Sequence, residues 1–198
     1  MEYRRIAPIM GHLWSPVAAV TSCYNGKTNV QIAVAIGAAS IVPRKPRVVV
    51  QIYKGNFSHR MITRSRALAL NFLRQDQWPL IRAFGFDSGK DRDKLAGVAY
   101  QVRATGCPVL DDCWGFLDCR VVNSMDAGDM TCFLADVVAG DTIGEGAPLW
   151  WRDARRLLPG DWLAEWDRKI SAEIEISSRR MDLIDYTPWK PIEQGDHE

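Results

Sequence analysis

Between Thr28 and His59 the chain reads T-N-V-Q-I-A-V-A-I-G-A-A-S-I-V-P-R-K-P-R-V-V-V-Q-I-Y-K-G-N-F-S-H, the stretch around which the rest of the chain is organised. Small side chains come first (Ala33, Ala35, Gly37, Ala38, Ala39, Ser40), and a bend bounded by Pro43 and Pro46 follows. Arg47 to Tyr53 then carries three consecutive valines, which predict a strand covered on both faces. The small-residue run leaves the backbone bare enough for a flat ligand to lie against it. Beyond the valine strand, Lys54, Asn56, Ser58 and His59 form a polar cluster whose donors suit an anion such as a phosphate. A plain hydrophobic strand with a charged end satisfies the same letters, and the residues alone leave both readings open.

The flanking segments are mostly strands. Pro16 to Cys23 predicts a buried first strand, turned by Tyr24-Asn25-Gly26-Lys27, because Asn-Gly is a strong hairpin signal. Ser58 is the expected N-cap of a short helix over His59 to Ser65. Ala67 to Leu73 predicts another strand, and Trp78 to Phe84 a helix with Pro79 in its first turn. Phe84 to Leu95 is a Gly-punctuated polar loop leading into a short helix. Trp114 to Val122 and Thr131 to Ala139 flank Asp126-Ala127-Gly128-Asp129, which predicts a long hairpin. The irregular mixture of strands and short helices suits a mainly β fold, a closed or half-closed barrel, better than a doubly wound sheet. That domain is expected over residues 1–147, with 148–198 as an extension. Within the extension, Trp162, Trp166, Ile170, Ile174, Ser177, Met181 and Ile184 recur at steps of three and four, one stripe of a long helix. Burying each large apolar side chain contributes roughly 1.5–3 kcal/mol. The stripe is therefore expected to pack on the barrel or on a second copy.

Composition excludes several classes. The 25 Lys and Arg residues against 24 acidic ones leave no global field to recruit nucleic acid or a membrane surface, and no basic patch is interleaved with aromatics. The longest apolar candidate, Val30 to Val42, is interrupted by Gln31 and ends at Pro43, short of a membrane span. The start lacks the apolar core of a signal peptide, so the expected location is cytoplasmic. The five cysteines include no C-x-x-C pair; Cys107, Cys113 and Cys119 are evenly spaced, but without tighter pairs or histidines they predict reduced thiols rather than a metal site.

Six segments carry a resemblance: P-V-A-A-V-T-S, N-G-K-T-N-V, S-I-V-P-R-K-P, K-G-N-F-S-H-R-M-I, F-G-F-D-S-G-K-D-R-D-K-L and G-D-M-T-C-F-L-A-D-V-V. In this order, over roughly Ile6 to Gly140, they resemble the flavin reductase-like family with its FMN-binding split barrel. The resemblance implies a homodimer holding one FMN per subunit near the dimer interface. It also implies reduction of flavin by NADH or NADPH, often to supply a partner monooxygenase. Carried over by position, the flavin contacts would fall at Thr28, Asn29, Gln31, Ala33, Val34 and Ala35, then at Lys54, Asn56, Ser58 and His59, with Ser88 and Lys94 adding to the site or bracing it. No catalytic side chain is required, since hydride transfer between stacked rings needs no obligatory acid or base. His59 is either a flavin-proximal hydrogen-bonding group or a plain helix-start histidine; Asp91, Asp93 and Lys94 are either ligand contacts or a solvated turn. One departure stands out. Many family members carry Gly-Asp-His at the hairpin, whereas this chain has Gly128-Asp129-Met130. That favours an alternative reading, a flavin-holding electron carrier without nicotinamide turnover. A flavin-free split-barrel binding protein is a third reading, and a haem-binding barrel is disfavoured by the few histidines.

Overall fold

The computed structural model describes residues 2–181. Helix α1 (Tyr3–Gly11) precedes the first hairpin, β1 (Ala18–Tyr24) and β2 (Lys27–Ala33). Then come β3 (Ile36–Ala38), β4 (Arg47–Tyr53), α2 (Phe57–Ser65), β5 (Ala67–Phe72) and α3 (Leu80–Gly85). A short pair, β6 (Tyr100–Val102) and β7 (Pro108–Leu110), leads to the long hairpin of β8 (Gly115–Asp126) and β9 (Met130–Thr142). Helices α4 (Trp151–Leu157) and α5 (Gly160–Met181) follow.

Seven strands form one antiparallel sheet in the order β2-β1-β5-β8-β9-β4-β3. Its two edge strands, β2 and β3, are consecutive in the chain and separated only by Val34 and Ala35. The sheet therefore curls until its edges meet at that link. There the Gln51 N–H donates to the Ala35 carbonyl (2.9 Å) and the Ser15 N–H to that of Val34 (2.7 Å). Away from the link β2 pairs, among the described residues, only with β1, so the barrel is split along that side. This is the mainly β split barrel with short helices that the sequence resembles. The β1–β2 turn has Asn25 at φ 49° and Gly26 at φ 71°, the left-handed pair that a two-residue hairpin of native twist demands.

Strand alternation sorts the core into two sides. Ala18, Val20, Leu68, Leu70, Val48, Val50, Ile52 and Phe133 fill the barrel interior. Val17, Ala19, Ala67 and Ala69 point the other way, against Ile81 and Phe84 of the α3 layer and Leu149, Trp151 and Ala154 around α4. Central strands β1 and β5 are thus covered on both faces. The valine strand β4 is not: Val48, Val50 and Ile52 are buried while Val49 is half-buried and Gln51 exposed. The expectation for it fails because β4 lies next to the edge, where no helix layer among the described residues covers the outer face.

Other differences are local. The helix after β4 begins at Phe57, and Ser58 is not its N-cap. Asn56 holds that position without a side-chain cap bond, because the fully buried Ser58 hydroxyl accepts from Asn29 Nδ2 (2.7 Å). Pro79 is the residue before α3 rather than inside its first turn. Strands β8 and β9 outrun the expected hairpin, with register shifts at Asp118/Cys119 and Val121/Asn123 that let so long a ribbon bend. Helices α1 and α4 and the β6–β7 pair were not anticipated; Pro8 inside α1 is a helix-breaking letter that hides it. The five cysteines are free, with the Cys23 and Cys107 sulfurs in contact at 3.2 Å. Among the described residues no helix is long and apolar enough to cross a membrane, and no cluster of metal ligands occurs. Helix α5 begins at the expected Gly160; of its stripe, Trp162 and Trp166 pack on the chain's own core, Ile174 is exposed, and Ile184 lies outside the described residues.

Candidate functional site

A pocket of about 380 Å³ lies between β2, the start of α2, the turn after α3 and the middle of α5. From β2 it receives Asn29, Gln31 and Ile32. Neighbours 31 and 32 point to opposite faces of a strand, so the pocket abuts the unpaired edge of β2, where a sheet presents free N–H and C=O groups. Gly55, Asn56, Phe57 and Ser58 close one side, and Phe84 to Gly89 with Lys94 form the other.

The polar wall is tightly fitted. Asn29 and Ser58 are almost fully buried and bonded to each other. Gly89 stands against this pair: a Cβ there would come within 1.8 Å of Asn29 Oδ1. Gln31 is 8% exposed, and its Oε1 is buried without a hydrogen-bond partner among the described residues. Leaving a buried acceptor unsatisfied costs roughly 1–3 kcal/mol. Lys94 is buried, and its ammonium donates to the carbonyls of Phe84 (2.8 Å) and Asp87 (3.2 Å), bracing the turn. Burial, reinforced by the charges of Lys169 and Arg92, lowers its pKa to about 8. From α5 come Trp166, Lys169, Ile170 and Glu173. Burial raises the Glu173 carboxyl above its ordinary pKa, opposed by Lys169.

Of the sequence-predicted positions, the pocket gathers Asn29, Gln31, Asn56, Ser58, Ser88 and Lys94. Thr28 lies in an adjoining surface recess with Gly89 and Lys90. Ala33 is packed into the barrel interior, and Val34 and Ala35 form the link between β2 and β3 with their carbonyls bonded to Ser15 and Gln51. Lys54 reaches the hairpin instead, its ammonium 2.6 Å from Asp126 Oδ1. His59 hydrogen-bonds Thr131 Oγ1 (2.8 Å) beside the Phe133 ring. The glycines at 55 and 89 and the α5 residues were missed. Trp166 and Ile170 belong to the apolar stripe, but Lys169 and Glu173 beside it read as a solvated face.

His59 supplies a test of the local electrostatics. Burial, then the positive charges of Lys54 and Arg180, lower its pKa, with Asp126 opposing. The fold thus prefers the neutral ring, and the unfolded chain takes up the proton first. Its contribution is fully present above about pH 6.5 and is lost as the pH falls from there toward the folded value. In His59→Gln, the decline in urea midpoint between about pH 7 and pH 5.5 is expected to be shallower; an identical decline would show that another group titrates.

A family model described as the flavin reductase like domain matches residues 10–158. An FMN reductase (NADH), RutF, from Bradyrhizobium diazoefficiens is 31% identical over 53% of this chain, which spans 58% of that protein's length. The reductase component of a 4-nitrophenol 4-monooxygenase/4-nitrocatechol 2-monooxygenase from Rhodococcus opacus is 32% identical over 75% of each chain. Among solved structures, flavin reductase PheA2 in its native state is 29% identical, with a TM-score of 0.62 over 75% of this chain and 92% of the other.

Proposed function

The chain belongs to the flavin reductase-like family, and on that premise we propose that it binds FMN in the pocket beside β2 and reduces flavin at the expense of NADH or NADPH. The observation that carries the site is the pocket itself, where the open edge of β2 meets the polar side chains of Asn29, Gln31, Asn56, Ser58 and Ser88. A flavin suits that lining: its ring and ribityl chain offer N–H and O–H donors and carbonyl acceptors, and its flat face suits a slot bounded by Ile32, Phe84 and Trp166. Asn29, Asn56, Ser58 and Ser88 supply the remaining polar contacts, and Lys94 holds the turn that carries Ser88. FMN, when bound, brings its own hydride and electron chemistry. The chain's residues position the ring, exclude water from one face, and satisfy its polar edge with donors and acceptors that need no rearrangement.

The working unit we propose is a cytoplasmic homodimer; exposed Val122, Met125 and Val138 on the outer β8–β9 ribbon support a partner copy there. The Rhodococcus relative, by name a reductase component, supports delivery of electrons to a monooxygenase. A second reading has one observation in its favour. Met130 opens β9, paired with Tyr53, at the position where the family resemblance expects histidine, and a flavin carrier without nicotinamide turnover needs no such group. One experiment separates the readings. The FMN-loaded protein, mixed anaerobically with NADH and then NADPH, is expected to lose its yellow colour within seconds to minutes. Retained colour with both nucleotides would leave the carrier, and a chain that ignores added FMN would exclude both.

A further inference from the structure

We propose that α5 is the wall that makes this pocket select the mononucleotide flavin over the dinucleotide. The inference rests on the flavin reading of the pocket. Helix α5 begins at Gly160, beyond the residues 10–158 that the family model matches, yet it supplies a full side of the site. Trp166, Lys169, Ile170 and Glu173 are spaced by three, one and three residues, which places them on one helix face, and all four line the pocket.

The helix is firmly seated. Trp162 packs against Trp78 and Phe86, with ring centres 5.9 and 6.3 Å apart, and Trp166 against Phe86 and Trp151, both at 5.4 Å. Glu165 pairs with Arg82 at 2.5 Å. The Lys169 ammonium donates to the carbonyls of Gly85 (2.7 Å) and Phe86 (3.2 Å), at the C-terminal end of α3. Gly85 allows this approach, since a Cβ there would come within 3.2 Å of the Trp166 ring. At the far end Met181 lies over Gly128 of the β8–β9 turn, and Arg180 stands over the Tyr53 ring. The helix thus runs from α3 to the hairpin tip and bridges the pocket between two anchors.

With that wall in place the pocket holds about 380 Å³, near the lower end of the ~300–1,000 Å³ usual for small-ligand sites. One tricyclic ring with a phosphorylated ribityl arm fits such a space. A dinucleotide adds a second phosphate, a sugar and a purine, and Ile170 and Glu173 bound the pocket on the α5 side. Removing the wall would enlarge the pocket on that side while leaving Asn29, Gln31 and Ser58 in place.

The test is equilibrium titration of FMN, FAD and riboflavin, read by flavin fluorescence, into the full chain, a chain ending at Pro159, and Ile170→Ala. The full chain is expected to bind FMN at least about tenfold more tightly than FAD. The shortened chain should bind the two within about threefold, and Ile170→Ala should fall between, with a melting temperature close to that of the parent. An unchanged FMN-to-FAD ratio in Ile170→Ala and in the shortened chain would overturn the inference, as would equal affinities in the full chain. If the shortened chain does not fold, the ratio in Ile170→Ala decides alone. A full chain that binds no flavin would instead overturn the flavin reading itself, an outcome distinct from an unselective pocket.

Discussion

Gly89→Ala is expected to weaken FMN binding by about ten- to a hundredfold, equivalent to roughly 1.4–2.8 kcal/mol, and to lower the melting temperature by several degrees. The added methyl would stand 1.8 Å from Asn29 Oδ1, far inside contact distance, so one group has to move. Asn29 is short, 4% exposed and bonded to the fully buried Ser58, so it cannot swing into solvent as a lysine would. Displacing it breaks that bond and leaves buried groups unsatisfied, at a cost of roughly 1–3 kcal/mol. For a chain of this size each kcal/mol shifts the melting temperature by about 2–4 °C. The comparison that makes the test specific is Gly26→Ala at the hairpin turn. It too is expected to lose stability, because Gly26 sits at φ 71° with nothing within 4 Å of its Cβ position, but FMN affinity in the folded fraction should persist. A Gly89→Ala protein that binds FMN like the parent would remove the Asn29–Ser58 wall from the site.

Gln31→Met should produce effects of opposite sign in the empty and loaded protein. Without ligand, Gln31 Oε1 is a buried acceptor with no donor, and replacing the amide by a thioether of similar length removes that penalty. The apo protein is expected to gain about 1–2 kcal/mol, raising its melting temperature by roughly 2–8 °C. With FMN present, loss of the pocket-lining amide should weaken binding about tenfold, so the stabilisation that saturating flavin confers should shrink. Calorimetry with and without FMN reads both. A less stable apo variant would mean that the amide already has a partner, and the argument from the orphaned oxygen would fall.

Much of the barrel was legible because its signals are short-range. Asn25-Gly26 announces the first hairpin, and the apolar runs of β1, β4 and β5 have the right length for strands, with β4 placed residue for residue. What escaped depends on distant partners. Whether Val49 is covered turns on β4 lying next to the edge of the curled sheet, which no local pattern records. The polar end of β4 illustrates the same limit. Lys54, Asn56, Ser58 and His59 are near neighbours in sequence, but the chain turns into α2 there. Asn56 and Ser58 go to the pocket, Lys54 to Asp126 and His59 to Thr131. Proximity along the chain therefore overstated their convergence. Gln31, by contrast, interrupts an apolar strand and is already among the positions the resemblance assigns to flavin, and it lines the pocket. Lys169 and Glu173 stayed hidden because a polar helix face reads as solvated until the element opposite it is known.

The two-residue link between β2 and β3 couples the binding edge to the rest of the barrel. A one-step slip of β2 along β1 would turn Asn29 and Gln31 to the wrong side. With only Val34 and Ala35 in between there is no slack, so the same slip would drag β3 out of step with Val48, Val49 and Val50. Misalignment is therefore penalised at both margins of the sheet at once, and the strand that carries the pocket is held in place by the other margin, which closes against it.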